Sequence, residues 1–373
     1  MQETFFIEQK PFLNILSSMQ PVCTRRTTIE TTNYILFKLS PKELVLKTTD
    51  LEISLQASYK INHSTYIDQI SFMVHGKRIY EIVREMDGQI TCSVKDGMIF
   101  LNTSSVSLSL NIKDPQEFPV FPERIENLMA FQPKELLDMI SKVSFLIPQN
   151  NVHQALNGLL LEIDQTGLIM TTTDGHCLAQ LKSDLYKLTD KKKWLIPRRA
   201  IYELKKIIES TEETQLFIGT CKNNLVFSGE NFNFFTKLMV ENFPQYESIV
   251  NQIGFKTAKI ERNHLTKALR RASCLLSGQF IATKLHIKEN KMDVSMENKE
   301  VGTLHETLEI MNFDGADFEI RFYAPYLLNG LQVFTTEKIN FALHSASKPI
   351  IFKLTQENID FVYLVMPVAP SHV

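Results

Sequence analysis

The sequence has few cysteines and no long apolar run or low-complexity tract. Its five cysteines are scattered and form no C-x-x-C pair, which argues against a disulfide framework or a cysteine-based zinc site and favours a reducing compartment. No apolar stretch approaches the ~20 residues that a membrane-spanning helix needs. The first ten residues have no basic region, and their apolar run is too short for a signal peptide. We therefore expect a cytoplasmic protein with no membrane partner.

Catalytic signatures are also missing. None of the motifs G-x-S-x-G, G-x-x-x-x-G-K-[ST], G-x-G-x-x-G and H-E-x-x-H occurs, and the nine histidines form no cluster with metal-ligand spacing. Asp174 and His176, two residues apart in a turn, could in principle serve acid–base chemistry or bind a metal. Nothing in the sequence completes such a site, so we predict no catalytic residue, no metal and no cofactor. Turnover of a nucleotide or nucleic acid by the purified protein would favour the enzyme alternative.

A repeat with a period of 124 residues is the most informative feature that the sequence does contain. Thr48-Thr-Asp and Thr172-Thr-Asp each follow an apolar run and precede a break, which Gly175 provides in the second copy. The spacing predicts a third copy near residue 296, and a degenerate version, 295–301, lies there. Three periods account for almost the whole chain, so we expect tandem domains of similar fold rather than short solenoid repeats.

Each third also contains two amphipathic helical patterns, in which apolar residues recur at i, i+3, i+4 and i+7. At the start of the first pattern in each third stand Pro11, Pro133 and Asn263, residue types that favour a helix N-terminus. The apolar positions are Phe12, Ile15, Leu16 and Met19, then Ile79, Ile82, Val83 and Met86, then Leu136, Leu137, Ile140 and Val143, then Ile201, Leu204, Ile207 and Ile208, then Leu265, Ala268, Leu269 and Ala272, and finally Leu327, Leu328 and Leu331.

Short alternating runs between these patterns predict about eight strands in each third. We predict an α+β fold class with three tandem similar domains, 1–126, 127–255 and 256–373, each with two helices packed on antiparallel sheets. Helices can cover only one face of each sheet, which leaves the other face for water or a partner. The run from Val106 to Leu110 alternates strictly and is a candidate edge strand, and exposed strand edges invite pairing.

The formal net charge of −2 conceals an uneven distribution of basic residues. The segments 191–206 and 256–271 are rich in lysine and arginine, which most often indicates a solvated helix face. The repeat favours a second interpretation, because basic residues on equivalent helices would form one continuous surface if the domains closed into a ring. The residues concerned are Arg198, Lys205, Lys267 and Arg270.

Taken together, these features resemble the bacterial β sliding clamp family, the processivity subunits of replicative DNA polymerase III. No single segment decides the resemblance, but the order, spacing and threefold setting are specific together and cover the whole chain. The segments are Thr48–Ile53, Leu156–Glu162, Thr172–Leu178, Ile196–Arg199, Asn242–Tyr246 and Tyr363–Pro367. The resemblance implies the DNA clamp fold in a head-to-tail homodimer, a six-domain ring around duplex DNA. Such a ring has no chemistry of its own and confers processivity by tethering the polymerase.

The resemblance also implies a groove between the second and third domains, where partners bind through short linear peptides. The matching positions are Leu156, Thr173, Gly175, His176, Cys177, Leu178, Pro244, Ile249, Phe280, Tyr326, Val365, Met366 and Pro367. This sequence departs from the family pattern at Cys177, Ser248 and Tyr323, where the family commonly has Arg, Arg and Asn. The implied groove is therefore less basic than usual, while its apolar floor is retained.

DNA and subunit contacts are implied as well. Phosphates would face a weakly binding set of cations whose attraction depends on salt and not on base sequence. These cations are Arg25, Arg26, Arg198, Lys205, Lys267 and Arg270. The edge at Leu108 and Leu110 would meet the third domain of the other subunit near Cys274 and Leu275. The implied partners are double-stranded DNA, a second copy of the chain, a clamp loader, the polymerase alpha subunit, and other polymerases and repair proteins. A related protein without a replication role is the alternative that the sequence leaves open.

Overall fold

A computed structural model describes residues 3–250, 254–277 and 281–368. The chain forms two compact units, one of Met1–Leu137 with Arg199–Leu238 and the other of Asp138–Arg198 with Met239–Val373. The central third of the sequence therefore contributes to both units. The architecture is α+β, as predicted, with long antiparallel sheets and few helices. The proposed boundaries at 126 and 255 stay a prediction.

The described residues form seven α-helices, and all but the short fifth one coincide with the predicted amphipathic patterns, because their buried side chains repeat with helical spacing. They are α1 (Gln9–Cys23), α2 (Gly76–Arg84), α3 (Pro133–Ser144), α4 (Arg198–Ser210), the short α5 (Glu247–Val250), α6 (Arg262–Ser273) and α7 (Ala324–Leu331). On α1, for example, Phe12, Leu16 and Met19 are almost fully buried. In the first unit α1 packs against α2, and in the second unit α6 packs against α7.

The strands form one antiparallel sheet of 12 strands in each unit. In chain order they are β1 (Phe5–Glu8), β2 (Tyr34–Leu39), β3 (Glu43–Thr49), β4 (Ile53–Lys60), β5 (Ile70–His75), β6 (Gln89–Lys95), β7 (Met98–Asn102), β8 (Ser107–Lys113), β9 (Glu126–Phe131), β10 (Gly158–Ile163), β11 (Leu168–Thr173), β12 (Cys177–Ser183), β13 (Lys192–Pro197), β14 (Leu216–Cys221), β15 (Asn224–Ser228), β16 (Phe232–Lys237), β17 (Lys256–Glu261), β18 (Thr283–Lys288), β19 (Lys291–Asn298), β20 (Gly302–Met311), β21 (Phe318–Phe322), β22 (Lys338–Leu343), β23 (Ile350–Gln356) and β24 (Ile359–Val365).

The order of strands in each sheet shows how the repeats are joined. The first sheet runs β1-β6-β7-β8-β5-β2-β3-β4-β16-β15-β14-β9, and the second runs β13-β10-β11-β12-β24-β23-β22-β17-β20-β19-β18-β21. In the first, β4 pairs with β16, and Ile53 lies opposite Thr236. In the second, β12 pairs with β24, and Cys177 lies opposite Val365. Each junction therefore joins a strand of one predicted domain to a strand of the next.

The turn that precedes each joining strand is the repeated element found in the sequence. Asp50, Asp174 and Asn298 are spaced by 124 residues, and each starts the same side-chain-to-backbone turn. In every copy the side-chain Oδ1 accepts hydrogen bonds from the backbone N–H groups two and three residues later. The donors are Glu52 and Ile53 (3.0 and 2.8 Å), His176 and Cys177 (2.8 and 2.7 Å), and Glu300 and Val301 (2.9 and 3.3 Å). The degenerate third copy thus keeps the turn chemistry, with Asn in place of Asp.

Two local predictions were wrong. Asn263 is not the N-cap of α6, because the helix begins at Arg262 and the preceding Glu261 makes no capping bond through its side chain. The basic segment 191–206 is not helical throughout, because its first part is strand β13. Trp194 and its apolar neighbours in that strand are buried. In the described part of the chain β13 is an edge strand that pairs only with β10, and lysines are common at the edges of sheets.

Asp50 is a buried carboxylate that does more than close its turn. It is 4% exposed, and its Oδ2 accepts a hydrogen bond from Arg199 Nη1 and lies 3.6 Å from Arg25 Nη1. Arg199 also donates from Nη2 to the backbone oxygen of Pro21 at 3.1 Å. One side chain therefore links the turn, α1 and α4 in the first unit.

Asp50→Ala should destabilise the first unit by about 3 kcal/mol, because it leaves two turn N–H groups and a partly buried guanidinium without their acceptor. Urea unfolding followed by circular dichroism measures this, since the single tryptophan lies in the other unit. Asp68→Ala, at an exposed position, is the control and should change the stability by less than about 0.5 kcal/mol. A loss no larger than that of the control would refute the assigned role of Asp50.

Candidate functional site: an apolar groove in the second unit

An apolar groove of about 410 Å³ lies in the second unit where β12 begins and β24 ends. Cys177, the first residue of β12, is paired with Val365, the last residue of β24, so both strand ends open at the same place. The segment after Phe243 supplies Pro244 and Tyr246, and the turn before β12 closes one end. The groove is thus a direct consequence of the strand junction.

The floor of the groove belongs to the hydrophobic core of the unit. Leu178 and Leu364 are 5% and 2% exposed and lie in one cluster with Tyr246. Ile249 and Met366 are partly buried and pack against the same cluster. An apolar side chain that enters would therefore meet a preformed surface, which is typical of a peptide- or ligand-binding cleft.

Tyr246 forms a wall whose orientation is fixed by polar contacts. Its hydroxyl donates a hydrogen bond of 2.7 Å to Glu162 Oε2, and Lys193 Nζ lies 3.1 Å from Glu162 Oε1. Its ring packs edge-on against Phe243 at a centroid distance of 6.0 Å. Burial raises the pKa of the Tyr246 hydroxyl, which therefore stays protonated and keeps donating at neutral pH. The aromatic wall is held in place before any ligand arrives.

The turn at one end of the groove has a glycine in the left-handed backbone region. Gly175 has a φ of +96°, which non-glycine residues rarely adopt. The next residue, His176, stacks its ring on Tyr326 with a centroid distance of 5.3 Å and an interplanar angle of 17°. The backbone oxygen of His176 accepts a hydrogen bond of 2.9 Å from the Met366 N–H, which ties the turn to the end of β24. Two groove segments are thereby fixed to each other.

Cys177 borders the groove, but its neutral thiol lies on the same face of the sheet as its cross-strand partner Val365 and beside Tyr363. Its side chain is buried, and burial raises the pKa of the thiol well above its usual range, with the charge of Asp174 acting in the same direction. Beside it, Tyr363 is fully buried and donates a hydrogen bond of 2.6 Å from its hydroxyl to the backbone oxygen of Tyr326. At this point the groove is apolar and uncharged.

The structure brings most of the sequence-predicted groove residues together. Those that line the groove are Leu156, Thr173, Gly175, His176, Cys177, Leu178, Pro244, Ile249 and Met366. Tyr326 contacts the lining through His176. Val365 does not line it, because alternation along β24 turns its side chain to the opposite, fully buried face. Pro367 lies one residue beyond Met366 and is not part of the lining, and Phe280 lies outside the described residues.

Several lining residues were not in the predicted set. They are His153, Ala155, Asn242, Gln245, Tyr246 and Leu364. A signal for two of them was present in the sequence, since Tyr246 ends a segment that carried the family resemblance and Leu364 alternates with Val365 in a strand. Choosing between Leu364 and Val365 required the register of β24, which the sequence pattern left undetermined.

Comparison with known proteins decides the family. Three family models match the chain consecutively: the N-terminal domain of the DNA polymerase III beta subunit over residues 3–122, its central domain over 130–245 and its C-terminal domain over 252–369. The chain belongs to the DNA polymerase III beta subunit family. The resemblance stated from the sequence is therefore confirmed, as is the three-domain organisation.

Curated relatives and solved structures agree with this assignment. The beta sliding clamp of Pseudomonas aeruginosa is 26% identical over 368 residues, which cover 97% of this chain and 99% of the relative. That of Vibrio cholerae is 26% identical over 371 residues, covering 98% and 99%. The structure of the Pseudomonas aeruginosa clamp bound to griselimycin superposes with a TM-score of 0.89 at 23% identity, covering 99% of this chain and 100% of that one. The Bacillus subtilis clamp gives 0.88 at 22% identity, covering 99% and 100%.

The family is a non-catalytic one, and the geometry at Asp174 and His176 agrees. One carboxylate oxygen of Asp174 is committed to the turn, and the His176 ring is stacked on Tyr326. Within 3–250, 254–277 and 281–368, no group of three or more His, Cys, Asp or Glu side chains is placed to hold a metal ion. No helix in those same ranges is long and apolar enough to cross a membrane. The absence of a metal or cofactor stays a prediction.

The cations predicted to face DNA differ in their surroundings. Lys267 and Arg270 project from α6, are exposed and have no side-chain partner in the described part of the chain. Arg26 is also exposed. Arg25 is already paired, since its guanidinium contacts Glu52 and lies near Asp50. Its charge is therefore largely neutralised, which makes it the weakest member of the set.

The two remaining cations lie on α4. Arg198 donates from Nε to the backbone oxygen of Ile147 at 3.1 Å. Lys205 is half-buried, with its Nζ 6.0 Å from the centre of the Tyr202 ring. A long side chain of this kind can lie along apolar surface and still present its ammonium group to water.

The predicted edge strand is β8. It pairs with β7 from Ser107 to Asn111, whereas β5 reaches only its last two residues, Ile112 and Lys113. The first part of β8 therefore has a neighbour on one side only within the described residues. Leu108 and Leu110 are half-buried beside their β7 partners, Leu101 and Ile99, and the intervening serines are exposed. Cys274 and Leu275, at the end of α6, are exposed and half-buried.

Proposed function

We propose that this protein acts as a processivity clamp, a head-to-tail homodimer that forms a six-domain ring around duplex DNA and tethers the replicative polymerase. Membership of the family supports this role. The structural observation that carries the proposal is a repeated strand junction. It is made twice within the chain, and the two strands that would form a third copy, one in the first domain and one in the third, are each open along most of one side in the described residues.

The two internal junctions follow one rule. The strand after the repeated turn pairs with the last strand of the next domain, as β4 does with β16 and β12 with β24. The third strand of this kind is β20, and β17 pairs only with its last two residues, Ile310 and Met311. The last strand of the first domain is β8, whose leading half is equally open in the described chain. The rule then predicts that β20 of one protomer pairs with β8 of its partner.

The open edges offer matching backbone groups. Ile112 N–H donates to Gly97, so alternation directs the N–H and C=O groups of Ser107 and Ser109 away from β7. On β20, Ile310 N–H donates to Asn290, so the corresponding groups of His305 and Thr307 point away from β19. Pairing these edges twice would close a symmetric dimer without leaving a strand edge unpaired.

The dimer contacts implied by the family lie beside these edges. Leu108 and Leu110 are on β8 itself. Leu275 accepts a hydrogen bond of 2.6 Å from Asn298 Nδ2, which places the end of α6, with Cys274, next to the turn that precedes β20. Leu108 and Leu110 thus lie on one of the strands that the junction rule selects, and Cys274 and Leu275 lie beside the turn that leads into the other.

The DNA-facing surface would be a weak electrostatic one. A clamp must hold DNA without stopping on it, so enclosure supplies the hold and tight contacts would only slow sliding. Lys267, Arg270 and Arg26 are the exposed cations that best suit this role, with Lys205 and Arg198 in support. Phosphate contacts of this type are independent of base sequence and weaken with salt.

The groove is proposed as the docking site for short linear peptides of partner proteins. The expected partners are the polymerase alpha subunit, the clamp loader, and other polymerases and repair proteins, all competing for one groove per protomer. One or two apolar anchors of a peptide would occupy the floor at Leu178 and Met366. A protein with these partners acts where the chromosome is replicated, in the cytoplasm.

The proposal predicts long products in a primer-extension assay. On a primed single-stranded circle, DNA polymerase III core with a clamp loader should make products at least ~10-fold longer when this protein is added. Product lengths on a denaturing gel are the measurement, with a single-turnover trap that prevents rebinding. Products of unchanged length, with loader and polymerase active on a known clamp, would contradict the proposed function.

A further inference from the structure

A second cavity, of about 450 Å³, lies in the first unit at the junction of β4 and β16. It occupies the place that corresponds, through the repeat, to the groove beside β12 and β24. Thr49 and Leu51 line it, and they are the residues 124 positions before the groove residues Thr173 and Gly175. The fold therefore builds the same concavity twice, once in each unit.

Strand registers show how the two linings differ. Cys177 lies opposite Val365, and its repeat equivalent Ile53 lies opposite Thr236, so the residues that follow, Met366 and Lys237, correspond. By the same repeat, Ser54 stands where the groove has Leu178. Aligning the two Phe-Pro segments places Arg124 where the groove has Ile249. Each of these apolar groove residues is replaced by a polar or basic one.

The second cavity is cationic as a result. Arg124, Lys222 and Lys237 line it, are exposed, and make no side-chain ion pair or hydrogen bond in the part of the chain that the structure describes. The acidic member of the lining, Glu123, lies 3.7 Å from Lys47 Nζ and is therefore largely compensated. Three positive charges that converge on one concavity favour an anionic occupant.

The cavity also exposes apolar side chains. Val120 is 95% exposed and Leu51 is 36% exposed, and both line this one cavity. Phe121 forms part of the floor, where its ring packs edge-on against Phe235 at 5.4 Å. Exposed apolar surface rimmed by charge is typical of a protein-interaction site.

Backbone strain is concentrated at the same cavity. Leu51, Arg124 and Lys222 all have positive φ, at 76°, 65° and 53°, and they make up half of the non-glycine residues described with this conformation. The groove uses glycine at the position equivalent to Leu51, so a relaxed alternative exists in the same fold. Strained backbone conformations cluster at functional sites, so three of them around one cavity favour a function for that cavity.

We propose that this cavity docks an acidic linear peptide segment of a partner protein, with one apolar side chain of the peptide placed against Phe121 and Val120. The flanking carboxylates of the peptide would contact Arg124, Lys222 and Lys237. An acidic peptide fits better than DNA because the exposed apolar surface has no use in a sequence-independent phosphate contact. The groove serves here only as a comparison of shape, so docking at this cavity does not depend on a peptide binding in the groove.

The test uses the full chain and a fluorescein-labelled peptide, Asp-Glu-Phe-Asp-Glu, titrated by fluorescence anisotropy at 50 mM salt. We expect saturable binding that Lys222→Gln with Lys237→Gln weakens roughly tenfold or more. Lys42→Gln with Lys60→Gln removes the same charge from exposed positions of the same unit and should have little effect. Leu51→Gly removes an exposed apolar side chain from the lining and should therefore also weaken binding. It should not lower the thermal midpoint, because glycine adopts the positive φ without strain.

Several outcomes would overturn the proposal. These are no saturable binding, equal losses in the two lysine pairs, or equal binding of the charge-reversed peptide Lys-Arg-Phe-Lys-Arg. Competitive displacement of the peptide by a short DNA duplex, with the same dependence on Lys222 and Lys237, would reassign the cavity to nucleic acid. Leu178→Ala with Met366→Ala separates this inference from the proposed groove, since that variant should bind the acidic peptide normally.

Discussion

Met366→Ala together with Leu178→Ala should weaken binding of a polymerase-tail peptide by roughly thirtyfold or more. Leu178 belongs to the buried cluster under the groove, and Met366 packs against it at the open end. Truncating one buried anchor contact in an interface typically costs about 2 kcal/mol or more, which is roughly thirtyfold in affinity. Because Leu178 also belongs to the core cluster, this variant should lose some folding stability as well, and its thermal midpoint is measured beside its peptide affinity.

The measurement is a titration of a fluorescent peptide with wild type and variants, with the dimer mass checked for each. Leu185→Ala is the matched control, because Leu185 lies on the same segment of chain but is 48% exposed and outside the groove. It should bind the peptide as wild type does. Unchanged affinity in the double alanine variant would mean that partners dock elsewhere.

Ser109→Pro should convert the dimer to monomers. The N–H of Ser109 points away from β7, so proline removes a donor from the open edge while leaving the β7–β8 ladder intact. Loss of that edge should lower dimer affinity by at least ~10-fold and prevent closure of a ring. Leu108→Asp with Leu110→Asp should give the same result, although these side chains lie beside buried Leu101 and Ile99, so that variant also tests the packing of β8.

Analytical ultracentrifugation between about 0.1 and 50 micromolar measures the effect. Ser109→Ala is the control, since it keeps the backbone N–H and changes only an exposed side chain. A Ser109→Pro protein that sediments as a dimer with wild-type affinity would show that β8 is not at the subunit contact. A wild-type protein that is monomeric throughout this range would contradict the dimer itself.

Much of the fold could be predicted because the sequence repeats. The helix patterns and the turn at Asp50 and Asp174 are local signals, so their positions were predictable to within a few residues. The third turn could be located from the period even though Asn298 replaces aspartate, since both side chains accept the same hydrogen bonds. What failed locally was β13, where lysines beside buried Trp194 occupy a sheet edge and not a helix.

The candidate site was predictable in outline but not in detail. The turn, β12 and the end of β24 were recognised as one site through the family resemblance, and the structure places them together. The choice of Val365 over Leu364 depended on a strand register, and a shift of one residue exchanges the two faces of a strand. The neutralisation of Arg25 by Glu52 depended on a contact that no sequence period encodes.

Topological retention on DNA tests the central claim most directly. The protein is loaded by a clamp loader onto nicked circular DNA, separated from free protein by gel filtration, and then half of the sample is linearised with a restriction enzyme. The account predicts that the protein stays with the circle for many minutes and leaves the linear DNA from its ends, at moderate salt and with any base sequence. Equal retention on both forms would contradict enclosure of DNA by a ring.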